Sequence, residues 1–232
     1  MNEPTGIFTI AIVVVTSLVS AAGFGSPQLV AGCLFEPAMI IGRRQYYRLI
    51  TSGFIHANWG HLLVNMFSFY SFGGAVEHLA GAPTLIAVYS SALLGGNLLS
   101  LLLHRNHEYR ALGASGGVCG VIFASIFLVP GGSVYMFPVP VPIPSPVFAI
   151  LFIMISFFGI RNQRGNIGHD AHLGGAIIGL AAATLLHPGI AAESPALWAA
   201  VMGISAVLFM YLYVDSRRRA GRLRVVRADR DG

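Results

Sequence analysis

The sequence has no lysine, and its 232 residues include only nine acidic side chains and fourteen arginines, so charged residues make up 10% of the chain. Soluble domains usually carry about 25% charged residues, and composition alone therefore excludes a water-soluble globular protein. There are two cysteines, Cys33 and Cys119, in different predicted elements, Cys119 within an apolar run and without CxxC spacing, which leaves no basis for a disulfide framework. No HxxxH pair occurs, since His56 and His61 are five apart; no metal site and no cofactor is expected. The segment before the first apolar stretch, MNEPTG, has no basic residue, and no small-residue cleavage site stands out before Gly23. That stretch is expected to be a retained span, not a removed signal peptide.

What is present is apolar surface: 55% of residues are hydrophobic and the mean hydropathy is +0.72. Runs of helical length fall at 7–25, 61–80, 84–103, 115–129, 146–160, 172–187 and 195–214. About 20 residues cross roughly 30 Å of hydrocarbon, so these runs predict an all-α polytopic membrane protein with seven spans. The connection 26–60 mixes Phe35, Met39 and Ile40 with Arg43, Arg44 and Arg48 and reads as an ordered loop lying at the membrane interface. Residues 130–145 alternate proline with apolar residues, which forbids a helix and favours an extended turn. The Arg-rich segment 215–232 reads as a solvated, mobile tail.

The fourth run is too short to cross, because about 15 residues at 1.5 Å per residue span only roughly 22 Å. One end must lie inside the membrane, where irregular backbone is tolerated only if protein buries it or water reaches it. The preceding LGASGG suits such a place. If every span crosses once, runs two, four and six start from one face, and their first turns bring His61 with Asn65, then Ser115, then His172 to one level. Polar groups at that depth are functional candidates. Hydrolysis needs a nucleophile, a general base and donors for the developing oxyanion. Ser115 fits the first role and His172 the second; the amides at a helix start, Asn65 and His61 fit the third. Gly113, Gly116 and Gly117 leave room for close approach. Asp170 lies two residues before His172 and would point elsewhere on a helix, so a dyad is expected, without a triad. His78, His104, His107, His169 and His187 fall near span ends and read as interfacial, and Phe67, Phe69, Tyr70 and Phe72 as packing or lipid-facing.

From about residue 8 to 187 the chain resembles the rhomboid intramembrane serine proteases. HANWGHLLVN (His56 to Asn65) is similar to that family's second-helix motif, GASG (Gly113 to Gly116) to its serine motif, and AHLGGAIIG (Ala171 to Gly179) to its AHxxGxxxG helix. Tyr47–Arg48 resembles the WR loop motif, and GGAVE (Gly73 to Glu77) the end of the second helix. The resemblance implies a rhomboid-like six-helix core over 1–187, with 195–214 as an additional C-terminal transmembrane helix. It implies Ser115 as nucleophile, His172 as base, and oxyanion support from His61, Asn65 and the Ser115 amide. Arg48, His56 and Glu77 become structural, and Gly175 and Gly179 let the sixth helix pack on the fourth. Cys119 departs from the pattern: many relatives carry there an aromatic ring that stacks on the histidine.

The function so implied is an intramembrane serine endopeptidase, cleaving transmembrane protein substrates within the lipid bilayer where they unwind, in a bacterial cell membrane. The alternative is a non-proteolytic rhomboid-like protein that binds membrane clients; inactive relatives typically lack the serine or the histidine. A small transporter would place polar residues near mid-membrane in both halves. The basic tail comes with no nucleic-acid motif. Orientation carries a conflict. Chain order puts all fourteen arginines on the face where runs two, four and six begin, which the positive-inside rule makes cytoplasmic, whereas the family resemblance implies a site open to the extracytoplasmic face.

Overall fold

The computed structural model describes residues 6–106, 108–136, 139–162 and 168–228, so His107, Arg164 and Arg230 lie outside the described residues. The protein is a multi-span helical membrane protein. Its principal helices are α1 (Ile7–Phe24), α4 (Trp59–Ala80), α5 (Ala82–His104), α6 (Ser115–Leu128), α7 (Ser145–Asn162), α8 (His169–Leu186) and α10 (Pro195–Ala228). Short helices α2 (Pro27–Cys33), α3 (Arg48–Thr51) and α9 (Gly189–Glu193) lie in the connections. By length and composition, Ile7–Phe24, Ala82–His104 and Pro195–Asp215 are long and apolar enough to cross a membrane. Helices α4 and α8 have the length but carry the polar residues of the site, which lowers their hydropathy.

Local chemistry sets the helix ends. Asn58 caps α4 by accepting from the His61 amide at 2.8 Å, and Gly81, with φ of 84°, makes the turn from α4 into α5, a conformation that favours glycine. The start of α1 is capped from afar: Glu77 at the end of α4 accepts from the Phe8 amide at 3.1 Å and from the Thr9 amide and hydroxyl at 2.8 and 2.6 Å. Carboxylate oxygens there satisfy donors that a helix start leaves unpaired. In the first loop, Arg48 is buried and donates to the Ala31 and Leu34 carbonyls, each at 2.8 Å, and to Gln45 at 2.6 Å. The first loop is thus tied together from inside.

Helices α5, α6 and α8 form the centre, with α4 against α6 and α1 outside α4. Hydrocarbon gives little hydrophobic drive for helix association, so small residues that admit close backbone contact dominate such seams. A Cβ at Gly175 would overlap the Gly116 carbonyl, and one at Gly179 the Gly120 backbone. On the other side of α8, a Cβ at Gly174 would come within 3.0 Å of the Gly96 Cα. The sixth span is therefore gripped backbone to backbone by the third and fourth.

Within 130–145 the extended residues pair: β1 (Ser133–Met136) and β2 (Val139–Pro144) form an antiparallel hairpin. Proline lacks the ladder donor and is confined to strand edges, which suits a two-stranded hairpin whose second strand has an open side. The expected solvated tail differs more. Helix α10 continues past Asp215 to Ala228 without a break, because arginine, alanine and leucine are strong helix formers even where no long apolar run supports them.

Candidate active site

Ser115 is the first residue of α6, and its Oγ lies 2.6 Å from Nε2 of His172 in the first turn of α8. Both side chains are half-buried. The seam described above fixes this distance, since Gly116 follows the serine and its backbone abuts Ala171 and Gly175. The amides of the first turn of α6 have no partner within the helix and point with its positive dipole end toward the serine.

His61, in the first turn of α4, lies against Gly113: a Cβ there would sit 2.8 Å from the imidazole Cε1. Gly113 has φ of 122° and donates its amide to the Ser52 carbonyl at 2.9 Å. Its contribution is therefore space for the His61 ring, with its own N–H already engaged. Asn65, buried one turn further along α4, donates from Nδ2 to the His61 carbonyl at 2.9 Å. The four polar residues singled out from sequence stand at one end of the bundle, and Gly113 joins them.

His56 holds the loop in front of the serine. Its Nε2 accepts from the Ala114 amide at 3.3 Å, so the proton is on Nδ1, which donates to Ser20 Oγ at 2.8 Å; that hydroxyl passes on to the Phe54 carbonyl at 2.9 Å. Burial, aided by neighbouring His61, holds the His56 imidazole below its ordinary 6.5, at about 4. A folded value below the unfolded one means that the unfolded chain binds more protons between these limits. The contribution is complete above pH 6.5 and lost as pH falls toward 4, on the order of 3 kcal/mol in all. The melting temperature in detergent is therefore expected to drop from pH 7 to 4.5 in wild type and to drop less in His56→Leu; equal drops would clear His56 of the effect.

Sequence reasoning missed the surroundings of Asp170. Helix α8 begins at His169, three residues earlier than expected, which puts Asp170 in its first turn, 5% exposed. As expected, its carboxylate turns from His172. It accepts from Ser100, from the Tyr109 hydroxyl at 3.0 Å, and pairs with His104 Nε2 at 3.2 Å. His104 stacks on Tyr109 with ring centroids 3.7 Å apart, so its reading as an interfacial histidine is corrected: it belongs to a buried cluster joining α5, α8 and the loop before the serine. Burial first, and then the Asp170 carboxylate, push the Tyr109 hydroxyl well above its ordinary range. A buried carboxylate implies partners, and an aspartate at the edge of an apolar run, two residues before it starts, was the available signal. His187 is likewise engaged, 2.8 Å from Thr84. Where Cys119 leaves out an aromatic ring, Phe152 of α7 brings one from another helix, its centroid 6.5 Å from that of His172.

An apolar cavity of about 660 Å³ opens beside this loop, lined by residues of α1, α2 and the His56–Trp59 segment and reaching Leu112. Among the described residues no group of His, Cys, Asp and Glu is arranged to hold a metal ion.

The family model of the rhomboid domain matches residues 43–189, more than half of the chain. Among curated proteins, the chain is 31% identical to RHOMBOID-like protein 12, mitochondrial, of Arabidopsis thaliana, over 57% of this chain and 44% of that one. It is 29% identical to rhomboid protease GluP of Bacillus subtilis, over 76% of this chain and 34% of that one. Identity to rhomboid protease GlpG of Salmonella paratyphi A is 27%, over 77% and 61%. The chain thus spans less than half of the first two relatives. With the serine motif, the second-helix motif and the glycine seam all inside or bordering the matched region, the chain belongs to the rhomboid family.

Proposed function

We propose that this protein is a serine endopeptidase that hydrolyses peptide bonds in or near transmembrane segments of other membrane proteins, in a bacterial cell membrane. The observation that carries the reading is the 2.6 Å hydrogen bond between Ser115 and His172 at the start of α6. As His172 Nε2 takes the Ser115 proton, Oγ adds to the scissile carbonyl carbon. The oxyanion develops beside the unpaired amides at the start of α6, with the remaining Asn65 amide hydrogen and the His61 ring as further donors. His172 returns the proton to the leaving nitrogen as the C–N bond breaks, leaving an ester on Ser115. A water, deprotonated by His172, then hydrolyses that ester and restores the hydroxyl.

Helical substrate shields its carbonyls in i to i−4 bonds, so the scissile segment must unwind, and small or helix-breaking residues near the cut favour cleavage. The cavity reaching Leu112 offers room for an apolar substrate side chain. The test is incubation of the purified wild-type protein in vesicles with a labelled single-span reporter containing a glycine-rich break. Two fragments with ends in or beside the span are expected. An intact reporter that co-purifies with the protein would instead support client binding without proteolysis.

A further inference from the structure

We infer that Asp170 and Tyr109 are positioning residues for Ser115 and His172, acting as one latch that holds the loop before the serine against the helix start that carries the histidine. Its consequence for hydrolysis rests on the peptidase activity proposed above; its geometry stands apart from that activity. Three consecutive residues at the start of α8 do three jobs. Asp170 turns its carboxylate to Ser100 and His104 of α5 and to the Tyr109 hydroxyl. The Ala171 carbonyl lies in the seam, where a Cβ at Gly96 of α5 would come within 2.6 Å and one at Gly116 of α6 within 3.1 Å. His172 reaches Ser115. Successive residues of a helix point about 100° apart, so a carboxylate held from α5 fixes the rotation of this first turn and, with it, the direction in which the His172 side chain leaves.

The same carboxylate reaches the serine's side of the pair through Tyr109, six residues before Ser115. The tyrosine ring is stacked on His104 and lies edge-on to buried Phe35, with centroids 6.0 Å apart. Phe35 in turn exchanges two backbone hydrogen bonds with Ala111, at 2.9 and 3.1 Å. Further along, the Gly113 and Ala114 amides are held by Ser52 and His56. Those bonds tie the loop to the first connection, and the Tyr109 hydroxyl, 3.0 Å from Asp170, ties it to α8. A buried carboxylate keeps its donors because leaving it without them is costly, and here the donors come from the helix beside the base and from the loop leading to the nucleophile. Reacting groups tolerate little displacement, so loosening this hub is felt at the pair.

Tyr109→Phe removes the hydroxyl and keeps the ring in its stack, whereas Ser100→Ala removes a bond to the same carboxylate that does not reach the loop. Both are compared with wild type in detergent by deuterium exchange of the backbone amides of 109–114 and by saturation kinetics of a fluorophosphonate probe at Ser115, with melting temperature reporting on the fold. Tyr109→Phe is expected to speed exchange in 109–114 and to lower the limiting modification rate about tenfold, with the half-saturating probe concentration little changed. Ser100→Ala is expected to lower the melting temperature and to leave exchange in 109–114 as in wild type. A folded Asp170→Ala should match Tyr109→Phe in exchange. Unchanged exchange of 109–114 in Tyr109→Phe or in folded Asp170→Ala, or equal speeding in Ser100→Ala, would overturn the latch. Faster exchange with a wild-type limiting rate would overturn its role in placing the pair. A folded wild type that never reacts removes the peptidase reading, and exchange of 109–114 then decides the latch by itself.

Discussion

Ser115→Ala is expected to abolish cleavage of a single-span reporter, lowering the rate by about 10³-fold or more, because the substitution removes the attacking oxygen itself. The protein should remain folded. The Ser115 side chain is half-buried and its hydrogen bond to His172 contributes on the order of 1 kcal/mol net, while the helix start and glycine seam remain. Cleavage rate and melting temperature, measured on the same preparation, separate the two effects. A variant that cleaves at the wild-type rate removes the serine mechanism, and one that fails to fold removes the claim that Ser115 is dispensable for the seam.

The second large effect is on the fold that sets the dyad distance. In Gly175→Leu the new Cβ would overlap the Gly116 carbonyl, an obstacle made of backbone that cannot swing aside as a side chain can. Overpacking a core costs about 1–3 kcal/mol where side chains adjust, and here at least the upper part of that range is expected, with α8 forced from α6. Activity should vanish together with a large fall in melting temperature. Gly203→Leu on α10 is the control, since an added Cβ there meets nothing within 4 Å. Equal tolerance of both substitutions would contradict the tight seam.

Much of this arrangement was legible in the sequence because the membrane makes polar residues conspicuous. His61, Asn65, Ser115 and His172 stood out as polar groups at the starts of apolar runs, and chain order alone brought them to one face. The short fourth run likewise announced a short helix that begins at the serine, as α6 does at Ser115. Partners across helices were not legible. Nothing in the spacing of Ser100, His104 and Tyr109 announces that they converge on Asp170, and an apolar run gives no sign that Phe152 comes near His172. Residues 133–136 and 139–144 read correctly as extended, but register between two strands is a pairing property that proline alternation does not encode. The helical continuation of α10 was obscured for another reason: arginine marks solvation by its charge and helix by its propensity, and the two readings are independent.

A serine made nucleophilic by a histidine from another helix has a chemical signature of its own, reaction with an electrophilic phosphonate. Purified protein in detergent is treated with a fluorophosphonate probe, and the site of modification is found by mass spectrometry in wild type, Ser115→Ala and His172→Ala. Modification of wild type at Ser115, with none in either variant while both remain folded, is the predicted result. Equal modification of Ser115 in wild type and His172→Ala, or a folded wild type that never reacts, would contradict it.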